Sequence, residues 1–357
     1  MDDQRKKSKK VPYLLRAAMR KPVEHVPVWM MRQAGRCMPG YRKVRNSVSF
    51  LELCKTPELA AEVTLEPVNI LGVDAAIIFS DILIPVEAMG MKLVFSNSRG
   101  PEFTAPVRSK KDVERLVIPE PQERCDFVME LIKMVCGDVD EDTAVIGFAG
   151  APFTLMSFMV EGKTSYTLSM THRFLQNDPV LAHRLLEKLT MTTIKYIKAQ
   201  IDSGVHIVQL FDTRAGMFSP EDVREFALPY AAAVAEKFSD GSACPVIYYI
   251  KGIAPYITDI RELPVDVISL DWMVDIERAA RALENKFALQ GNADPYLLLG
   301  PLRLIENRVH SLMEQMKDYN GYICNLGHGI LPDTPVENAR AFVDYVHRYG
   351  KHSREKK

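Results

Sequence analysis

The feature that most constrains this chain is a recurrence. Eight short apolar runs alternate with segments of helical pattern: PVWMM (27–31), DAAIIFS (74–80), AVIGFAG (144–150), VHIVQLFD (205–212), CPVIYYI (244–250), VDVISLDW (265–272), FALQGN (287–292) and GYICNLGH (321–328). Each run is rich in Val, Ile and aromatic residues, and is largely apolar rather than alternating. Strands buried on both faces of a parallel sheet have this pattern. The segments between them carry helix start and stop signals. Thr56-Pro57-Glu58 opens one helix and Gly72 closes it, with a kink expected at Pro67. Ser219-Pro220-Glu221-Asp222 opens another, with Val223, Phe226, Ala227 and Tyr230 on one face. Thr334-Pro335-Val336-Glu337 reads as a capping box before Ala339, Phe342, Val343 and Val346.

Eight buried strands alternating with helices leave two α/β architectures, a closed (β/α)8 TIM barrel and an open doubly wound sheet. The count of eight favours the barrel, as does the lack of G-x-G-x-x-G after the first run. The expected layout is a single barrel domain over residues 11–349. It lies between charged, solvated tails at 1–10 (MDDQRKKSKK) and 350–357.

Composition narrows the partners. The formal net charge is -1, so a general nucleic-acid binder is disfavoured, and an anionic ligand must be met by local positive charge. The six cysteines have no repeated short spacing, which points to free thiols rather than a disulfide framework or a zinc finger. No apolar run is long enough to span a membrane, and the N-terminus has no signal-peptide core. The expected setting is the cytoplasm.

A TIM barrel carries its chemistry at the C-terminal ends of its strands. Those ends offer Arg32 and Arg36, then Ser80-Asp81, Gly150, Asp212-Thr213, Lys251-Gly252, Asp271-Trp272, Gly291-Asn292 and His328-Gly329. Two guanidiniums four residues apart suit carboxylates or phosphates, although surface ion pairs account for the spacing equally well. Gly35 between them allows positive φ or a close approach to a ligand. Asp81, after an apolar strand, is either a desolvated carboxylate for N–H donors or a developing cation, or a helix cap. His328 serves as hydrogen-bond donor, proton-transfer group or turn residue. A catalytic metal has little support: H-E-x-x-H is absent, and Cys324 with His328 is too small a ligand set. There is no Walker A motif. These residues alone imply a barrel enzyme for a small polyanionic substrate, without a metal.

Longer stretches add a resemblance. PVWMMRQAGR (27–36), DAAIIFSDIL (74–83), GFAGAPFTLM (147–156), FMVEG (158–162), QLFDT (209–213), LQGNADP (289–295) and NLGHGILPDTP (325–335) occur in the order found in the uroporphyrinogen decarboxylase family. The chain resembles that family over roughly residues 11–349. The resemblance implies a (β/α)8 barrel that pairs as a homodimer. It also implies decarboxylation, without a cofactor, of the four acetate side chains of uroporphyrinogen III to give coproporphyrinogen III and CO2. Arg32 and Arg36, around Gln33, Ala34 and Gly35, match the family's carboxylate-binding segment. Asp81 matches its central aspartate, which accepts from pyrrole N–H groups. Phe211, Thr213 and His328 match substrate-contacting positions, and Asp81, Arg32 and His328 are the expected catalytic set.

The chain departs from the family pattern in three places. Phe158 stands where the family commonly has Tyr, so that hydroxyl contact is absent. The usual glycine-rich segment after MVEG is KTSYT (163–167). Cys37 and Gly40 replace the usual Tyr and Glu. Two other readings remain: a corrinoid-linked methyltransferase, which lacks its His-x-Cys zinc pair here, and a binding paralogue without catalysis.

Overall fold

The computed structural model describes residues 10–96, 100–239 and 244–351. Seven strands form one parallel sheet: β1 (Ala75–Ile77), β4 (Ala144–Gly150), β5 (Ile207–Asp212), β6 (Val246–Ile250), β7 (Val267–Ser269), β8 (Ala288–Ala293) and β9 (Tyr322–Leu326), in that order. Their residues are buried almost without interruption, as expected of strands covered on both faces. A separate antiparallel hairpin joins β2 (Leu93–Ser96) to β3 (Gly100–Phe103).

The first apolar run, 27–31, does not form the expected eighth strand. It makes a single parallel bridge, Val28 to Cys324. It nevertheless closes the barrel. Cys324 N donates to Pro27 O at 2.9 Å on one side, and Asp74 N donates to Val28 O at 2.8 Å on the other. The physical reason lies in its N–H groups, most of which go to side chains instead of a ladder. Val28 N donates to Asp74 Oδ2 (2.7 Å), Met30 N to Gln33 Oε1 (2.9 Å) and Met31 N to Asn325 Oδ1 (3.1 Å). Every donor is satisfied, so the irregular strand carries no buried orphan.

The barrel interior holds a polar chain among its aliphatic layers. Trp29 Nε1 donates to Gln290 Oε1, and Gln290 Nε2 donates to Gln209 Oε1 and Ser269 Oγ, each at 2.9 Å.

The helix signals hold in part. Ser219 Oγ accepts from Asp222 N, and Gly72 closes the helix Pro57–Leu71 in the left-handed region. That helix runs on through Pro67. The capping box at Thr334 does not form: Pro335 is the N-cap of Val336–Tyr349, and Thr334 Oγ1 is buried without a hydrogen bond. Residues 1–9 and 352–357, most of the expected tails, lie outside the described residues. Lys10 pairs with Asp142, and Val26 N donates to Gly350 O. The chain therefore stays tied to the barrel through residue 351, where Lys351 bridges His25. Among the described residues no helix is long and apolar enough to cross a membrane.

Candidate active site

The C-terminal strand ends open into a cleft of about 1600 Å³. That exceeds the roughly 300–1,000 Å³ usual for small-ligand sites. Arg32, Ala34, Gly35, Arg36, Asp81, Phe158, Phe211, Thr213 and His328 all line it. Gln33 does not. It is fully buried, and its amide bridges Met30 N and Ala75 O (2.8 Å), so it shapes the turn that carries the arginines.

The arginine turn is strained. Arg32 has φ of 62°, a sparsely populated value for a side-chain-bearing residue, and such outliers persist where the surroundings over-determine them. Gly35 does not have the positive φ its sequence position allowed. It is needed because a Cβ there would lie 2.7 Å from Arg32 O. Gly329, next to His328, leaves room for the Arg32 side chain, since its Cβ would meet Arg32 Cδ at 2.4 Å. Arg42 Nη1 donates to the carbonyls of Arg36 (3.0 Å) and Cys37 (2.9 Å) and fixes the end of the turn. Arg32 is open to the cavity but walled by protein, so burial, then its neighbour Arg36, lowers its pKa.

The replacement at Gly40 has a structural account. Its Cβ would fall 2.7 Å from Glu66 Oε1. The Glu66 carboxylate instead caps the start of Pro39–Arg45, accepting from Gly40 N (2.5 Å) and Tyr41 N (3.0 Å). An acid placed there from another helix supplies what a first-turn acid would supply locally. The Cys37 thiol is buried and pushed up to about 11, so it is not a thiolate nucleophile.

Asp81 lies in the turn after β1. Its Oδ1 accepts from Leu83 N at 2.8 Å and closes a turn before the helix Ile84–Ala88, whose N-cap is Leu83, without a side-chain cap, so Asp81 does not cap that helix. Oδ2 takes no hydrogen bond from any described residue. Burial pushes the carboxyl up to about 6, against the opposing pull of the Leu83 N–H and Arg32. A desolvated carboxylate with a spare oxygen favours a cation or N–H donors in front of it.

His328 sits between the rings of Tyr249 and Trp272, with centroids at 6.2 and 6.0 Å. Burial, then Arg32 and Lys251, lowers its pKa to about 3, so it is neutral at physiological pH. Tyr249 Oη has one proton for two neighbours, Gly327 O at 3.0 Å and His328 Nδ1 at 3.1 Å. Given to Nδ1, that proton leaves Nε2–H as a donor. Given to Gly327 O, it makes Nε2 an acceptor.

Sequence reasoning missed several lining residues, Tyr249, Arg214, Arg42 and Arg45 among them. Tyr249 is hidden in the apolar run CPVIYYI. Arg214 follows Thr213 and places its guanidinium 4.6 Å from the Phe158 ring centroid, with Nη1 donating to Ser165 O at 2.7 Å. Its backbone N is held by Thr154 Oγ1, which donates to buried Asp212 Oδ1 at 2.6 Å. Asp212 and Asp271 therefore support the site from below: Asp271 Oδ2 accepts from Gly252 N and Ile253 N, and Asp212 Oδ2 from Tyr248 Oη. In the altered segment 163–167, Thr164 lines the cleft, whereas Tyr166 is 88% exposed and does not. Five arginines (32, 36, 42, 45 and 214) share the lining with Asp81, Asp333 and Glu337. That is local positive charge on a chain of net charge -1.

The uroporphyrinogen decarboxylase family model matches residues 10–349. The chain belongs to the uroporphyrinogen decarboxylase family. It is 46% identical over 337 residues to uroporphyrinogen decarboxylase of Pelobacter propionicus, covering 94% of this chain and 98% of that one. It is 45% identical over 337 residues to the enzyme of Myxococcus xanthus, covering 94% and 96%. Among solved structures, a methyltransferase from Methanosarcina mazei superposes with a TM-score of 0.78 at 22% identity, covering 94% of this chain and 98% of that one. That likeness establishes the barrel fold and nothing of the chemistry.

Proposed function

We propose that the chain decarboxylates the four acetate side chains of uroporphyrinogen III to give coproporphyrinogen III and four CO2, in porphyrin and haem biosynthesis, with no cofactor. Family membership and 46% identity to a uroporphyrinogen decarboxylase support the reaction class. The observation that carries the mechanism is Asp81: a carboxylate pushed up by burial, with one uncommitted oxygen, in a cleft whose lining includes five arginines and several aromatic rings.

The chemistry matches this arrangement. Protonation of a pyrrole carbon next to an acetate makes the ring cationic. The C–C bond to the carboxylate then breaks, its electron pair flows into that ring, and CO2 leaves. A second proton converts the resulting exocyclic methylene to methyl, and the first proton then leaves the ring carbon, which restores the neutral pyrrole. Asp81 accepts from the pyrrole N–H groups and stabilises the cation, a preorganised electrostatic effect. Arg32, Arg36 and Arg214 bind the peripheral carboxylates, Phe211 lies under the macrocycle, and Thr213 adds a hydroxyl contact. His328, neutral, donates from Nε2 to a carboxylate when Tyr249 gives its proton to Nδ1. With His328 lowered to about 3, a standing imidazolium does not supply the ring proton, and water held by Arg32 is the donor this reading favours.

The chain acts as a homodimer in the cytoplasm on this reading. Exposed Tyr296, Leu299, Leu302 and Leu304 form an apolar stretch on which pairing is tested by sedimentation. The deciding experiment is anaerobic incubation of purified protein with reduced uroporphyrinogen III, products being separated by carboxylate number. A ladder from eight carboxylates to four is expected. Saturable binding without CO2 release identifies the binding paralogue instead.

A further inference from the structure

The opposite end of the barrel carries a second cluster that the decarboxylation does not use. His25 lies just before the closing segment 27–31, Asp74 just before β1, and His347 in the last helix, Val336–Tyr349. His25 Nε2 is 3.0 Å from Asp74 Oδ1, and His347 Nε2 is 2.8 Å from Asp74 Oδ2. The two imidazole rings meet edge to face, with centroids 4.7 Å apart. The ligand atoms of all three residues fall within 4.8 Å of one another.

We propose that His25, Asp74 and His347 bind a first-row divalent metal ion of the zinc type, clamping the two ends of the chain to the floor of the barrel. Four features carry this. The donor set is two imidazoles and one carboxylate, which suits zinc and its neighbours and not magnesium or calcium. Tetrahedral zinc with bonds of about 2.0–2.2 Å sets its ligand atoms about 3.3 Å apart, so the two nitrogen–oxygen spacings of 3.0 and 2.8 Å need to open by a few tenths of an ångström, and a pair at the 4.8 Å limit would need to close by about 1.5 Å. The cluster is half-buried, with side-chain exposures of 22% for His25, 11% for Asp74 and 31% for His347, which leaves an entry path and room for a water ligand. The carboxylate is already oriented from outside the cluster: Val28 N donates to Asp74 Oδ2 at 2.7 Å, an outer-shell bond that the metal would keep.

Binding replaces the Nε2–H of each histidine by the metal, the ring proton moving to Nδ1. No electron transfer is involved. Because three remote segments meet at the ion, it stabilises the fold by mass action without touching the cleft.

The test uses chelator-stripped full-length protein titrated with Zn2+ by calorimetry and with Co2+ by absorption, beside the His25→Gln/His347→Gln double variant. The wild type is expected to bind one ion per chain and to melt at a higher temperature with zinc. Its Co2+ spectrum should lack the thiolate charge-transfer band that cysteine ligation produces. The double variant should lose affinity by more than about 100-fold, since outer-shell changes alone cost up to that much. Its decarboxylase activity should remain unchanged, because both residues lie at the far end of the barrel. Failure of the wild type to bind stoichiometrically, equal affinity in the double variant, or a thiolate band each overturns the proposal. If the double variant does not fold, His347→Gln alone and the cobalt spectrum of the wild type carry the same decision.

Discussion

Asp74 and Asp81 bracket the same short strand, β1, and face opposite fates. Asp74, at the N-terminal end, is saturated. Burial pushes its carboxyl up, but the hydrogen bonds from His25 and His347 outweigh burial and hold it below the usual carboxylate value. Asp81, at the C-terminal end, has one backbone N–H and a distant guanidinium, and burial wins. A strand of three residues thus separates a carboxylate that the fold has satisfied from one that it has left short of partners. In a barrel the first arrangement fastens the scaffold, with or without an ion, and the second faces the mouth where the chemistry is done.

The largest expected effect tests the second half of that contrast. Asp81→Asn keeps the shape and the hydrogen bond from Leu83 N but removes the charge opposite the ring cation. A loss of about 10²–10³ in kcat, with the fold intact by circular dichroism, is expected by analogy with removal of a preorganised electrostatic partner. Turnover within a few-fold of wild type would remove Asp81 from the mechanism.

Asp74→Ala should do the reverse. It strips Val28 N and two imidazoles of their acceptor, at a cost of about 1–3 kcal/mol in stability measured by denaturant unfolding. Activity per folded molecule should stay near wild type. The sign with pH follows from the lowered pKa. The Asp74 contribution is complete above the ordinary carboxylate value and is lost as the pH falls through its folded value. An acid-unfolding midpoint that is the same in Asp74→Ala as in wild type contradicts this.

What the sequence shows and hides follows the same divide. The seven regular strands and the convergence of Arg32, Arg36, Asp81, Thr213 and His328 were legible, because burial imposes hydrophobic runs and the fold brings strand ends together. The eighth run was legible as apolar but not as irregular: nothing local says that Asp74, Gln33 and Asn325 take its N–H groups. Gln33 sits inside the motif yet points into the barrel, a choice made by tertiary hydrogen bonding alone. Tyr249 was masked by apolar neighbours. Arg214 looked like any exposed arginine, although its adjacency to Thr213 at a strand end was the available signal. The pairing of His25 with His347 joins nearly opposite ends of the chain, beyond the reach of any spacing rule.

Arg214 supplies the next prediction. Its guanidinium sits on the Phe158 face and holds Ser165 O, so it ties the altered 163–167 segment to the cleft. Arg214→Gln should raise KM for uroporphyrinogen by about 10-fold or more, the scale of one charged hydrogen bond, and change kcat less. Equal KM would mean that the residue serves the loop alone. The pH profile refines the same picture. kcat/KM should fall on the acid side as Asp81 protonates near its raised value of about 6, while His328, lowered to about 3, adds no limb in the neutral range. A limb that disappears in a His328 variant would reverse these roles.

The smallest expected effect concerns Phe158, where the family commonly has tyrosine. The ring sits on the helix Pro152–Glu161, lines the cavity and carries Arg214 over its face. A hydroxyl added at this position enters open volume rather than packed core, so Phe158→Tyr should fold normally. If the new hydroxyl meets a substrate carboxylate, one neutral hydrogen bond of about 0.5–1.5 kcal/mol raises kcat/KM by at most about tenfold. If Arg214 already occupies that carboxylate, the change should be negligible in wild type and appear only in the Arg214→Gln background. Phe158→Ala, in contrast, removes the platform under Arg214 and should reproduce the KM defect of Arg214→Gln. Should Phe158→Tyr unfold the protein or prove worse than Phe158→Ala, the ring belongs to the core and the guanidinium is positioned by Ser165 alone.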